Sequence, residues 1–299
     1  MRGVVVYSAP AKVYLSGEHA VVYNKRAVAV GIDLRTTVRL ERSDNFHYQT
    51  NADTRYLEEA VNAFSSIKAV DGVEIKVESE IPVGAGLGSS AAVTVATLGA
   101  LNEEFDANLS KEDIAKLAFE VERSIQGVAS PTDTFVSTMG GCVLVPDLLR
   151  IQDTLDCAIV IGDTRTVGST KKLVQAVKEL RSSEPEVIDL IFDAIDRITA
   201  AVIEWLEAAD YKRLGMLMNI NHGLLDAIGV GSLELSALVD GARSHGAYGA
   251  KITGAGGGGC IVAICEAKKV AQVVEGIEEA GGKAIVADVS GDGLRKVVG

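Results

Sequence analysis

Residues 82–92, Pro82-Val83-Gly84-Ala85-Gly86-Leu87-Gly88-Ser89-Ser90-Ala91-Ala92, constrain this chain more than any other stretch. Three glycines in five residues let a backbone turn tightly and bring N–H groups to a ligand with no Cβ in the way. The stretch follows Val73-Glu74-Ile75-Lys76-Val77-Glu78-Ser79, whose alternation reads as a strand, and runs into about fifteen residues able to form a helix. The order strand, glycine loop, helix sets the unpaired N–H groups of a helix start beside Ser89 and Ser90, an arrangement suited to phosphate. A tight turn before a well-packed helix is the alternative. The loop is not a Walker A motif, because no Gly-Lys-Ser/Thr follows the glycines, and no strand-borne Gly-x-Gly-x-x-Gly stands at the amino end.

At 299 residues the chain can form one large domain or two ordinary ones. An apolar fraction of 47% with 23% charged residues is globular rather than disordered. The net charge of −12 argues against a nucleic-acid surface, although a local phosphate pocket remains compatible with it. Cys142, Cys157, Cys260 and Cys265 form no Cys-x-x-Cys pair and read as buried thiols. With no leader-like start and no apolar run of roughly 20 residues, the expectation is a soluble cytoplasmic protein without membrane contact. The four histidines include no His-Glu-x-x-His, which leaves a zinc hydrolase without support.

Taken in order, residues 4–7 are apolar and lead into a second glycine-containing connection that places Lys12, Glu18 and His19 in or beside it. Strands are expected at 28–32 and 36–40, joined through Asp33 and Arg35, with a weaker one at 46–49 and a helix over 55–69. The helix after the glycine loop extends to Glu104, and Ser110 with Asp113 caps the next. There Ile114, Leu117, Ala118, Val121 and Ile125 share one face, and Glu122 falls at its edge, where a carboxylate must be paired, solvated or bound to a cation. Pro131 at the first position of a further helix makes Ser130 its N-cap and Asp133 its third residue, so Asp133 also reads as a capping-box acid. A strand over 139–146 and a polar crossing at 147–154 set a domain boundary near 155, dividing the chain into 1–155 and 156–299. The second half reads as a strand at 157–161, helices at 169–182, 186–207, 210–227 and 232–245, then strands at 247–253 and 259–265 around Gly254-Ala255-Gly256-Gly257-Gly258. A helix at 267–280 and a strand at 284–289 complete an α+β layer of helices over a small sheet.

Two glycine loops, a lysine near the first strand, a serine at a helix start and two acids eleven residues apart suit a magnesium-dependent phosphoryl transferase. Ser90 and Glu122 offer oxygens to the metal. Lys12 and Asp133 suit the acceptor hydroxyl, one offsetting negative charge and the other accepting a proton.

Lys12-Val13-Tyr14-Leu15-Ser16-Gly17-Glu18-His19-Ala20-Val21-Val22-Tyr23, the stretch 82–92, Glu122 with Ser130-Pro131-Thr132-Asp133, and Lys251-Ile252-Thr253-Gly254-Ala255-Gly256-Gly257-Gly258-Gly259-Cys260 together resemble the motifs of a small-molecule kinase superfamily. That superfamily contains galactokinase, homoserine kinase, mevalonate kinase and phosphomevalonate kinase. The Gly-Glu-His-Ala-Val-Val-Tyr form and the long final glycine run are most similar to the mevalonate kinases, and the short length to their archaeal type. The resemblance implies a two-domain α+β fold: an amino-terminal α/β domain with left-handed-crossover character, binding ATP, Mg²⁺ and the acceptor, and a carboxy-terminal ferredoxin-like domain closing the cleft. It implies ATP phosphates over Gly84, Ala85, Gly86, Leu87, Gly88, Ser89, Ser90 and Ala91, and Mg²⁺ held by Ser90 and Glu122. Asp133 and Lys12 would then be catalytic at the C5 hydroxyl of mevalonate, with Glu18, His19 and Thr253 on the substrate side, in a homodimer. Phosphomevalonate kinase activity and a catalytically inactive nucleotide-binding regulator are the rival readings. One departure stands out: Pro131 occupies a position that is glycine in many mevalonate kinases, which bears on substrate discrimination there. His222 reads as a structural residue.

Overall fold

The computed structural model describes residues 3–51, 53–127 and 130–297; Val128 and Ala129, in the break between two expected helices, lie outside them. The strand that starts in the opening apolar run extends well beyond it. β1 spans Val5–Ser16, so Lys12 stands inside a strand and only Glu18 and His19 fall in the turn after it. The two strands expected at 28–32 and 36–40 are one, β2 (Ala27–Arg42). What looks like a turn at Asp33–Arg35 is taken up as a bulge, since the register with β1 slips where Pro10 pairs with Arg35 and Ala11 with Ile32. Arg35 makes this possible. Its buried guanidinium donates to Ser8 Oγ (2.9 Å) and Ser290 Oγ (2.7 Å), so a polar residue inside the sheet is fully used.

β3 (His47–Gln49), helix α1 (Arg55–Ser65) and β4 (Val73–Ser79) follow, and β3 pairs with β4 in parallel through that crossover. Helices α2 (Ser89–Glu104), α3 (Lys111–Gln126) and α4 (Pro131–Met139) then lead to β5 (Cys142–Val145) and β6 (Leu149–Gln152). The polar stretch expected as a plain crossing thus contains a strand: β6 turns back on β5 as a half-exposed hairpin arm. β2 is long enough to pair with β5 through its first half and with β4 through its second.

The second half begins with β7 (Ala158–Asp163) and continues through α5 (Thr170–Ser183), α6 (Pro185–Glu207), α7 (Tyr211–Ala227) and α8 (Leu233–Ser244); α6 reaches β1 and β2 of the first half, and α7 and α8 pack on the second half's own sheet. β8 (Gly249–Thr253), β9 (Cys260–Cys265), α9 (Val270–Glu279) and β10 (Lys283–Ala287) complete it. The strand order β10-β7-β9-β8, all antiparallel, is the ferredoxin-like arrangement expected for this half. A last strand, β11 (Arg295–Lys296), returns to β1, so the tail of the chain hydrogen-bonds to the first sheet. Among the described residues no helix is long and apolar enough to cross a membrane.

α2 holds the first half together. Every residue over 91–101 is buried, which is why this segment carries Ala, Val, Thr and Leu with no polar face. Its small side chains bring it close to the sheet: a Cβ at Gly99 would lie 2.9 Å from the Tyr7 ring. With the helix fixed on all sides, the glycine loop at its amino end has a rigid base.

Candidate active site

Lys12 is fastened to the glycine loop at two points. Its N–H donates to Leu87 O (2.9 Å) and its ammonium to Gly86 O (3.1 Å). The ammonium also lies 4.5 Å from the centre of the Tyr14 ring, two residues on along the same strand face, and 3.4 Å from Asp133 Oδ2. Gly88, in the left-handed conformation at φ 77°, begins α2 at this place. A Cβ there would come within 3.2 Å of Lys12 Cγ and 3.8 Å of Asp133 Oδ2, so the loop's third glycine leaves room for the pair. Asp133 sits in the first turn of α4, whose N-cap is Ser130 with Pro131 behind it. The Ser130 oxygen accepts from Thr132 N (3.3 Å), and Asp133 is turned to Lys12 rather than back to Ser130. α3 does carry a complete capping box, between Ser110 and Asp113.

Across the start of α2, Ser90 Oγ donates to Glu122 Oε1 at 2.6 Å. Glu122 is only 4% exposed. Burial, and then the nearby charge of Asp133, push its carboxyl up to about 7, against the pull of the Ser90 hydrogen bond and of Lys12. Gln126 Nε2 stands 3.5 Å from Glu122 and donates to Tyr56 Oη at 3.0 Å, which closes the far side. Among the described residues no group of three or more His, Cys, Asp and Glu could hold a metal ion, and a cation beside Ser90 would meet the Glu122 carboxyl with the charge of Asp133 nearby.

The third group comes from the turn after β1. Glu18 is buried (2% exposed) and paired with Lys251 of β8, which is wholly buried. Burial pushes the Glu18 carboxyl up and the Lys251 ammonium down, while each partner pulls the other back toward the charged form. His19 has φ 60° and ψ −48°, a combination that costs a non-glycine residue about 1–3 kcal/mol. Its Nε2 donates to Ala255 O (2.9 Å), and burial lowers its pKa, so the ring is neutral and Nδ1 is left as an acceptor. Thr253 Oγ1 accepts the Tyr14 N–H at 2.9 Å. The two glycine loops touch: a Cβ on Gly254, at φ 84°, would lie 2.9 Å from Gly86 O. His222 is buried with Nδ1 unpartnered among the described residues, and burial takes its pKa down to about 4.

Lys12, Gly86, Gly88, Ser90, Glu122 and Asp133 therefore meet at the amino end of α2, while Glu18, His19 and Thr253 lie where the two glycine loops join. Sequence reasoning missed Lys251 as the partner of Glu18 and Tyr14 as the platform under Lys12. A lone lysine inside an otherwise apolar strand was the available signal for the first, because a buried cation requires a counter-charge.

A strand–glycine loop–helix base, a lysine–aspartate pair and a second glycine loop packed against the first define a class of small-molecule kinase. Residues 55–141 match the family model for the GHMP kinases N terminal domain, and residues 202–283 that for GHMP kinases C terminal. The chain belongs to the GHMP kinase family, as its motifs suggested. Within that family it is similar along its whole length to mevalonate kinases. The Thermococcus sibiricus mevalonate kinase is 41% identical, covering 97% of this chain and 98% of that protein. The crystal structure of the Methanococcus jannaschii mevalonate kinase superposes with a TM-score of 0.86 at 28% identity, covering 96% of this chain and 98% of that one. The L. major mevalonate kinase in complex with R-mevalonate gives 0.86 at 27% identity, over 97% of this chain and 96% of that one.

Proposed function

We propose that the protein transfers the γ-phosphoryl group of ATP to the C5 hydroxyl of mevalonate, giving 5-phosphomevalonate and ADP. The observation that carries this reading is the Lys12–Asp133 pair, 3.4 Å apart at the glycine loop, in a chain similar throughout to mevalonate kinases. The acceptor oxygen attacks the γ-phosphorus while the bond from that phosphorus to the ADP oxygen breaks, and Asp133 takes the hydroxyl proton. An aspartate is a weak base, so much of its contribution is to orient the hydroxyl and favour the proton's late departure. The Lys12 ammonium offsets charge on the acceptor oxygen and the transferring group. Backbone N–H groups of residues 84–91 and the start of α2 receive the phosphates.

The donors present suit magnesium. Glu122 is a buried carboxylate with hydroxyl and amide partners and, among the described residues, no ion-pair partner, and magnesium takes one or two carboxylates while keeping waters and phosphate oxygens as its other ligands. Bound with ATP, the ion would neutralise phosphate charge. Ser90 and Glu122 would hold it. On the acceptor side His19 offers Nδ1 to a mevalonate hydroxyl, and Glu18 and Thr253 shape the wall behind it. A homodimer accompanies this reading, and sedimentation at a single-chain mass of 31.3 kDa over working concentrations would reject it.

A coupled ADP-release assay with mevalonate, phosphomevalonate, homoserine and galactose tests the acceptor. Turnover with mevalonate well above the other three is expected. Turnover confined to another acceptor, or ATP binding with no turnover at all, would overturn the assignment.

A further inference from the structure

Segment 251–255 meets the first half of the chain at every second residue. Lys251 pairs with Glu18, Thr253 Oγ1 accepts from Tyr14 N (2.9 Å), and Ala255 O accepts from His19 Nε2 (2.9 Å). The middle contact fixes β1 near Lys12, and the outer two grip the turn that holds His19 in its unfavourable backbone conformation. Inside the turn the Ala20 N–H donates to Glu18 O (2.7 Å), closing a strained γ-turn on His19, while the Glu18 and His19 side chains make their bonds to the other half. The charged pair also lacks an obvious stability motive, since a buried ion pair is often no better than two well-packed apolar residues. Lys251 is wholly buried and its ammonium also donates to Ile252 O (2.6 Å), whereas Glu18 Oε2 has no hydrogen-bond partner among the described residues.

We propose that Lys251 is a positioning residue, whose ion pair with Glu18 holds the strained turn so that His19 faces the acceptor. The second sheet thereby builds the acceptor side of the cleft, while the phosphate side, resting on α2, is built by the first. The inference rests on the mevalonate kinase reading and predicts an asymmetric defect. In Lys251→Met the turn loses its anchor, and KM for mevalonate rises roughly tenfold or more while KM for ATP stays within about threefold. Lys251→Gln, which can still donate a hydrogen bond to Glu18, falls between wild type and Lys251→Met.

The experiment measures KM for both substrates, kcat and thermal unfolding on wild type and both variants in one series. A rise confined to mevalonate, graded Gln below Met, supports the proposal. A folded Lys251→Met with wild-type KM for mevalonate, or with both KM values raised equally, overturns it. Should Lys251→Met fail to fold, Lys251→Gln decides alone, a selective rise supporting the proposal and a wild-type mevalonate KM overturning it. Wild type without mevalonate turnover would instead sink the reading on which the inference stands.

Discussion

Asp133→Asn separates chemistry from folding with little ambiguity. The carboxylate is 29% exposed and its charged contact is Lys12, 3.4 Å away. A part-exposed pair of this kind contributes about 1 kcal/mol or less, which in a chain of this size moves the melting temperature by roughly 2–4 °C. Two features hold the cost down. Lys12 keeps Gly86 O and the Tyr14 ring, and the α4 cap belongs to Ser130 and Thr132, which the substitution leaves alone. Removing the charge also relieves Glu122, whose carboxyl Asp133 pushes up. Activity should respond on another scale: an amide cannot accept the C5 proton, so kcat falls about 10²–10⁴-fold, or about 3–5 kcal/mol of transition-state stabilisation. ATP affinity changes by less than about threefold, because Ser90, Glu122 and the loop N–H groups are untouched. The assay pairs thermal unfolding and ATP titration with steady-state kinetics on mevalonate. A folded variant keeping kcat within tenfold of wild type would show that Asp133 does not take the proton.

Three further outcomes follow from the same geometry. Glu122→Gln should weaken the response of activity to magnesium more than Ser90→Ala, since a carboxylate brings a formal charge and a hydroxyl does not; an unchanged magnesium dependence in the Gln variant would return Glu122 to a packing role. Glu122 is also an acid whose folded pKa, about 7, lies above its ordinary 4.5, so in metal-free buffer the native state loses stability as pH rises through that window. The stability of Glu122→Gln relative to wild type should therefore grow by about 3 kcal/mol between pH 4.5 and 8, and a pH-independent difference in denaturant unfolding would contradict this. Gly254→Ala sets a methyl group 2.9 Å from Gly86 O at a left-handed backbone position, so it should separate the two loops and raise both KM values; wild-type kinetics would mean the loops need not touch.

What could be read from the sequence was what local chemistry decides. The strand before the glycine loop, α2 to Glu104 and the Ser110–Asp113 box each depend on neighbours within a few residues, and each lies where periodicity and capping rules put it. Elements fixed by distant partners were not legible. Asp33–Arg35 has the composition of a turn and is extended because Arg35 finds Ser8 and Ser290 across the fold. β6 is polar because one side of its hairpin is open to solvent. β11 is two residues long and exists only through pairing with β1. The site shows the same division: Ser90, Glu122, Lys12 and Asp133 stand in recognisable motifs, whereas the Glu18–Lys251 pair joins residues 233 positions apart.

The central claim is that the phosphoryl group goes to the primary C5 hydroxyl of mevalonate. The product of ATP, magnesium and (R)-mevalonate, examined by phosphorus–proton correlation NMR, reads this atom by atom. The expected spectrum shows one new phosphomonoester whose phosphorus couples to the two C5 protons, with ADP formed in equal amount. A phosphoester lacking that coupling, as on the tertiary C3 oxygen, or release of inorganic phosphate with mevalonate unchanged, would contradict the account.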